Sequence, residues 1–219
     1  MKTLKVLAIL LSYPDLNVYK NVDDLAVVLK QESLLSKKTL KELLSFIEDY
    51  KNKDFLTLQE RFVDTFDRSR AHCLNLFEHI HGESRDRGQA MVDLIDMYAK
   101  KGLFVDKKEL PDYLPLFLEY LSLCDVQEAI ESLGDTIDII AVIGGHLKKD
   151  KSPYKVIFSA LQELSTVKAN QFKVAEAITN SPKEPETLDE LDELWQEQEA
   201  FSGESSECNT CESTATLTK

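Results

Sequence analysis

Glycine and proline are scarce in this sequence, 7 and 6 residues respectively in a chain of 219. So few turn formers point to helices joined by short loops. Period-two alternation of apolar and polar residues is nearly absent too, which leaves no sheet to organise the fold. Basic residues are outnumbered, 26 against 39 acids, for a net charge of −13. That balance disfavours nucleic acid and anionic membrane surfaces as partners, and it suits a basic or apolar polypeptide. The excess is uneven. Residues 182–219 carry eleven acids and two bases, −9, which leaves −4 on the remainder.

Long apolar runs are missing as well; none approaches the roughly 20 residues of a membrane span. The opening "MKTLKVLAILLSYPD" imitates an export signal, with Lys2 and Lys5 ahead of an apolar run. Residues 6–11 are a short run for that role, however, and "SYPD" lacks a small-residue cleavage pattern. The segment reads better as a first core helix stopped by Pro14. The four cysteines (Cys73, Cys124, Cys208 and Cys211) form no secreted framework, so a reducing cytoplasm is the natural compartment.

The usual catalytic signatures are also absent. Glu78 and His81 have the E-x-x-H spacing of di-iron carboxylate bundles, but no other glutamate stands three residues before a histidine. Cys73, His79 and His81 lack a fourth neighbour for zinc. Cys208-x-x-Cys211 is a lone pair in a tail without βαβ context; unpaired thiols are the plain reading. There is no Gly-x-Ser-x-Gly elbow and no Gly-rich phosphate loop. No catalytic residue, metal or cofactor is expected.

What is present is helical periodicity. Helices are expected at the N-terminus, over 16–31, over 36–52 with Ser36 as cap, and from Asp54 along the stripe Phe55, Leu58, Phe62 and Phe66. A broken segment of at most one short turn follows. A long helix then covers 84–101 and stops at Gly102. Pro111 and Pro115 bracket the start of "YLPLFLEYLSLC"; Asp125 with Glu128 has capping-box spacing for 125–133. Asp135 opens the next helix, Ser152 and Pro153 another, and a last one covers 170–179. Segments 113–124 and 137–147 are apolar nearly all round, as core helices with neighbours on both sides are. Gly144 and Gly145 inside the second would permit close helix approach. The expected fold is all-α, one globular multi-helix domain over 1–180 with two apolar central helices. A linker and short amphipathic helix should occupy 181–201, opened by the capping box Thr187 and Glu190, and 202–219 reads as a disordered acidic tail. The short helix carries Leu188, Leu191, Leu194 and Trp195 and needs a surface to dock on, either permanently or as a cover over a binding groove.

The densest run of unlike chemistry is "FEHIHGESRDRGQAM", residues 77–91, with two histidines, two arginines, three acids and two glycines. On a helix at 100° per residue, Ser84, Arg87, Gly88, Met91, Leu94, Ile95 and Tyr98 share one face. Gly88 is where another helix can come close, and Arg87 on the apolar side needs a carboxylate. Glu119, almost the only charge in 113–124, is one candidate; Glu78 and Glu83 are nearer in sequence. Arg85 points sideways. A junction of caps and ion pairs that merely fixes the helix entry explains the run about as well as a binding role does.

"FEHIHGESRDRGQAMVDLIDMYAKKGL" followed by "ELPDYLPLFLEYL" resembles the nitrate reductase molybdenum cofactor assembly chaperones, within the all-helical family of chaperones for molybdoenzymes. "LLSYPD", "FVDTFDRSRA" and, more loosely, "LDELWQEQEAF" resemble the same family, so the likeness spans about residues 5–200. It implies a cytoplasmic, non-catalytic chaperone of the respiratory nitrate reductase catalytic subunit. Such a chaperone would hold its client during cofactor insertion and delay its attachment to the membrane anchor. It also implies recognition of the client's N-terminal segment. An amphipathic client helix can lie in a groove between helices. Gly82 and Gly88 would leave room and Met91 would give an adaptable floor. His79, His81, Glu83, Arg85 and Arg87 would line the rim, with Glu119 beneath. Two rivals are a sibling chaperone reading a twin-arginine signal and a small helical metalloprotein or nucleotide-binding enzyme.

Overall fold

The computed structural model describes residues 1–79, 85–106 and 109–180, apart from the side chain of Arg85. These belong to a unit running from Met1 to Pro182. The expected linker, the capping box at Thr187, the short helix, and Cys208 and Cys211 lie outside the described residues, as do His81, Gly82 and Glu83.

Eleven α-helices form among the described residues: α1 (Lys2–Leu10), α2 (Leu16–Lys20), α3 (Val22–Glu32), α4 (Lys37–Asn52), α5 (Phe55–Phe62), α6 (Arg85–Lys100), α7 (Leu114–Leu123), α8 (Val126–Asp135), α9 (Ile137–Lys149), α10 (Lys155–Leu164) and α11 (Gln171–Asn180). No strand occurs among them; one isolated antiparallel bridge joins Asn75 to Tyr113. The fold is all-α. Helices α7 and α9 are central, as their apolar circumference dictates. Helix α1 is a third core element. Leu4, Leu7 and Leu11 are wholly buried, and α1 packs chiefly on α7. Its N-terminus is satisfied by Glu32, whose carboxylate accepts from the backbone N–H groups of Lys2 and Thr3 at 2.7 and 2.6 Å.

Small residues set the closest crossings. A Cβ on Gly144 would stand 2.9 Å from the Cβ of Phe158 on α10, and one on Gly145 would meet Ile178 of α11. Aromatic rings fill the layer between α4, α5 and α10: Tyr154 lies 4.8 Å from Phe66 and 5.3 Å from Phe46, centroid to centroid.

Several local expectations are corrected. The segment 16–31 breaks at Asn21, whose side-chain amide donates to the Asn17 carbonyl at 2.8 Å and competes with the helix ladder. Asp125 stands at the N-cap of α8 without a side-chain cap bond, and no capping box forms. Glu128 is drawn instead to Lys101, at 2.8 Å. Asp135 closes α8 rather than opening α9, whose N-cap is Thr136. The broken segment after α5 holds more than one turn: a π-turn (Val63–Asp67) and two 3₁₀ turns (Arg70–His72 and Leu76–His79).

Candidate client-docking junction

Two segments far apart in sequence meet where the 3₁₀ turn Leu76–His79 lies against the entry to α7. The fastening is Asp112, a fully buried carboxylate. One of its oxygens accepts from the Asn75 side-chain amide at 3.3 Å and the other from the Phe77 backbone N–H at 3.0 Å. Its carbonyl accepts from the Leu76 N–H at 3.0 Å, and the Leu114 N–H donates to Leu74 at 2.8 Å. Four bonds thus hold the four consecutive residues from Leu74 to Phe77 to Asp112 and Leu114. Reading the sequence passed over Asp112. Its signal was a lone carboxylate between Pro111 and an apolar helix, a position that demands buried donors.

The turn so held carries Glu78 and His79. Glu78 accepts from the Arg87 guanidinium at 2.6 Å. Of the carboxylates considered for Arg87, the structure therefore joins Glu78 to it. Glu119 is engaged by Lys5 of α1 in a partly exposed ion pair, not by Arg87. The ring Nε2 of His79 donates to the Cys73 carbonyl at 2.8 Å.

Helix α6 is fixed at one end. Tyr98 is buried, its hydroxyl donates to the Pro111 carbonyl at 2.7 Å, and its ring lies 5.0 Å from that of Tyr120. Gly102, at φ +78°, closes the helix. The Gly102 N–H donates to Ala99 and the Leu103 N–H to Tyr98, the paired bonds of a Schellman motif. Toward the N-terminus the helix opens to solvent. Leu94 and Met97 pack on the core, and Met91 is half-buried. Val92 and Ile95 are 50% and 43% exposed, and a Cβ on Gly88 would meet nothing within 4 Å. Among the described residues no helix takes the space at Gly88, contrary to a purely internal role for that glycine. Gly88, Val92, Ile95 and Ala99 form one continuous stripe at helical spacing.

Among the described residues no group of three or more His, Cys, Asp or Glu could hold a metal ion. His72 is fixed by two elements: its Nδ1 donates to the Thr65 carbonyl at 3.0 Å, and its Nε2 lies 3.0 Å from Asp150.

Burial holds the His79 pKa below its ordinary 6.5, against the opposing pull of the Cys73 carbonyl and Glu78. Burial does the same to His146, helped by the charges of His72 and Lys149. His79 is therefore neutral at neutral pH. The unfolded chain takes up these protons near 6.5 and the folded one resists them, so their contribution to stability is complete above about 6.5 and is lost as pH falls below it. Urea midpoints should fall between pH 7 and 5, and His79→Gln with His146→Gln should flatten that slope. An unchanged slope in the double variant would assign the protons to other groups.

The sequence matches, over residues 30–158, the family described as the nitrate reductase delta subunit. It is 39% identical over 199 residues to the nitrate reductase molybdenum cofactor assembly chaperone NarJ of Escherichia coli K12, covering 91% of this chain and 84% of that one. The chain belongs to the nitrate reductase delta subunit family. It is also 38% identical over 91% of its length to the probable assembly chaperone NarW of the same strain, covering 83% of it. With the probable NarJ of Bacillus subtilis 168 it shares 28% identity over 74% of its own length and 89% of the relative's. Both segments fastened by Asp112 lie within the matched region.

Proposed function

We propose that this family member is a cytoplasmic, non-catalytic chaperone of nitrate reductase. In this reading it holds the catalytic subunit by its N-terminal segment while the molybdenum cofactor is inserted and before membrane attachment. The names of the relatives support the client, and the open apolar stripe of α6 supports the way it is held. No helix among the described residues is long and apolar enough to cross a membrane, in keeping with a protein that acts before its client reaches one. The client helix would lay its apolar face along Gly88, Met91, Val92 and Ile95. The Glu78–Arg87 pair and His79 would form one rim; His81, Gly82, Glu83 and Arg85 fall in the same stretch of sequence, and Glu119 would act from α7 through its tie to α1.

Isolation of this chain from cells growing on nitrate should co-purify the catalytic subunit in its cofactor-free form. Recovery with the anchor subunit alone would refute the proposal. A synthetic peptide of the client's N-terminal segment should bind mainly through apolar burial. A fully buried aliphatic side chain contributes about 1.5–3 kcal/mol, an exposed ion pair about 1 or less. Calorimetric titration from low to high salt should therefore weaken binding only a few-fold. Loss of most of the affinity over that range would make charge, not the stripe, the source of recognition.

A further inference from the structure

Helix α11 packs chiefly on α9 and buries little of its own surface. Of its ten residues only Val174 is buried, Ile178 is half-buried, and Phe172 is 80% exposed. One hydrogen bond ties it to the body at its mouth, where the Asn170 N–H donates to Asp138 on α9 at 2.7 Å. A helix of this length is marginal in water by itself, so its order depends on its seat.

The seat is built for a helix but is not filled by this one. Gly145 opens a notch that Ile178 enters so closely that a Cβ there would clash with its Cδ1. Beside the notch a crease of about 560 Å³ remains open between α9, α10 and α11, with Ala141, Gly144, Val156 and Ala175 among its apolar walls. The crease is open to solvent and Ala175 on its wall is exposed, so a larger side chain there has room. The rim is basic in an otherwise acidic protein. Lys148 and Lys155 line the crease with Glu42 as the one acid among the described lining residues, and Lys149, Asp150 and Lys151 stand exposed in the same stretch.

We propose that this crease is a second docking groove, for an acidic amphipathic helix of a partner protein, with α11 as its resident and exchangeable occupant. The incoming helix would place large aliphatic groups at i and i+4 over Gly145 and Gly144, and carboxylates against Lys148 and Lys155. The proposal stands apart from the α6 stripe and does not rest on the client reading.

The test uses the full chain and a labelled peptide copying residues 168–180 with Ala175→Leu and Gln171→Glu, which fill the crease and face the lysines. Hydrogen exchange of the free protein should show α11 amides exchanging at least about 100-fold faster than those of α9 and α10, and faster still with peptide bound. Peptide affinity should fall at least about tenfold in Gly145→Leu, which closes the notch. It should fall comparably in Lys148→Glu with Lys155→Glu, which leaves the core untouched. Protection of α11 equal to that of α10, no peptide binding at about 100 μM, or equal binding by the lysine variant would each overturn the proposal.

Discussion

Asp112→Ala should lower stability by about 2–6 kcal/mol, because two partly buried donors lose a fully buried acceptor and each such loss costs about 1–3 kcal/mol. For a domain of this size that is a drop of roughly 5–20 °C in melting temperature. The donors are the Asn75 amide and the Phe77 N–H. Asp112→Asn should be milder, since it keeps one acceptor oxygen and sets its amide against the other donor. Both should also weaken client-peptide binding by the protein that remains folded, because the turn fastened by Asp112 carries the Glu78 that fixes Arg87. A melting temperature within a degree of the parent in Asp112→Ala would mean that the clasp is not what joins these segments.

The contrast between Asp112 and the helices around it shows what the sequence made legible. Apolar spacing was enough for α4, α6, α7, α9 and α10, because each buries one face or its whole circumference and no other arrangement hides those side chains. It was enough for Gly102 too, since a helix that ends there requires a left-handed residue. Polar partners were harder. Arg87 had three carboxylates to choose among, and only the path of the 73–79 loop brings Glu78 to it. Glu119 looked available to Arg87 because Lys5, which engages it, is 114 residues away. Asp125 with Glu128 had the spacing of a capping box, yet Lys101 from another helix offered Glu128 an opposite charge. Spacing along one helix fixes which residues share a face. It does not fix what a different helix brings to that face, and the candidate site is made mostly of such meetings.

The docking face itself can be isolated from the fold. Val92→Asp with Ile95→Asp should leave the melting temperature nearly unchanged, because both side chains are about half exposed in the free protein and surface substitutions are usually within about 0.5 kcal/mol each. The same pair should weaken client-peptide binding strongly. Covering the exposed halves of two aliphatic side chains contributes roughly 2–3 kcal/mol, and a carboxylate in their place must also be desolvated. At about 1.4 kcal/mol per factor of ten, the affinity should fall at least about 30-fold. Val27→Asp with Leu34→Asp is the matching control, since those residues are 48% and 47% exposed but stand on α3 and the turn after it. Calorimetric titration of the three proteins with the same peptide separates the outcomes. A loss confined to the α6 pair places the client on that stripe. Equal losses in both pairs would reduce the effect to net charge, and an α6 pair within twofold of the parent would put the docking face elsewhere.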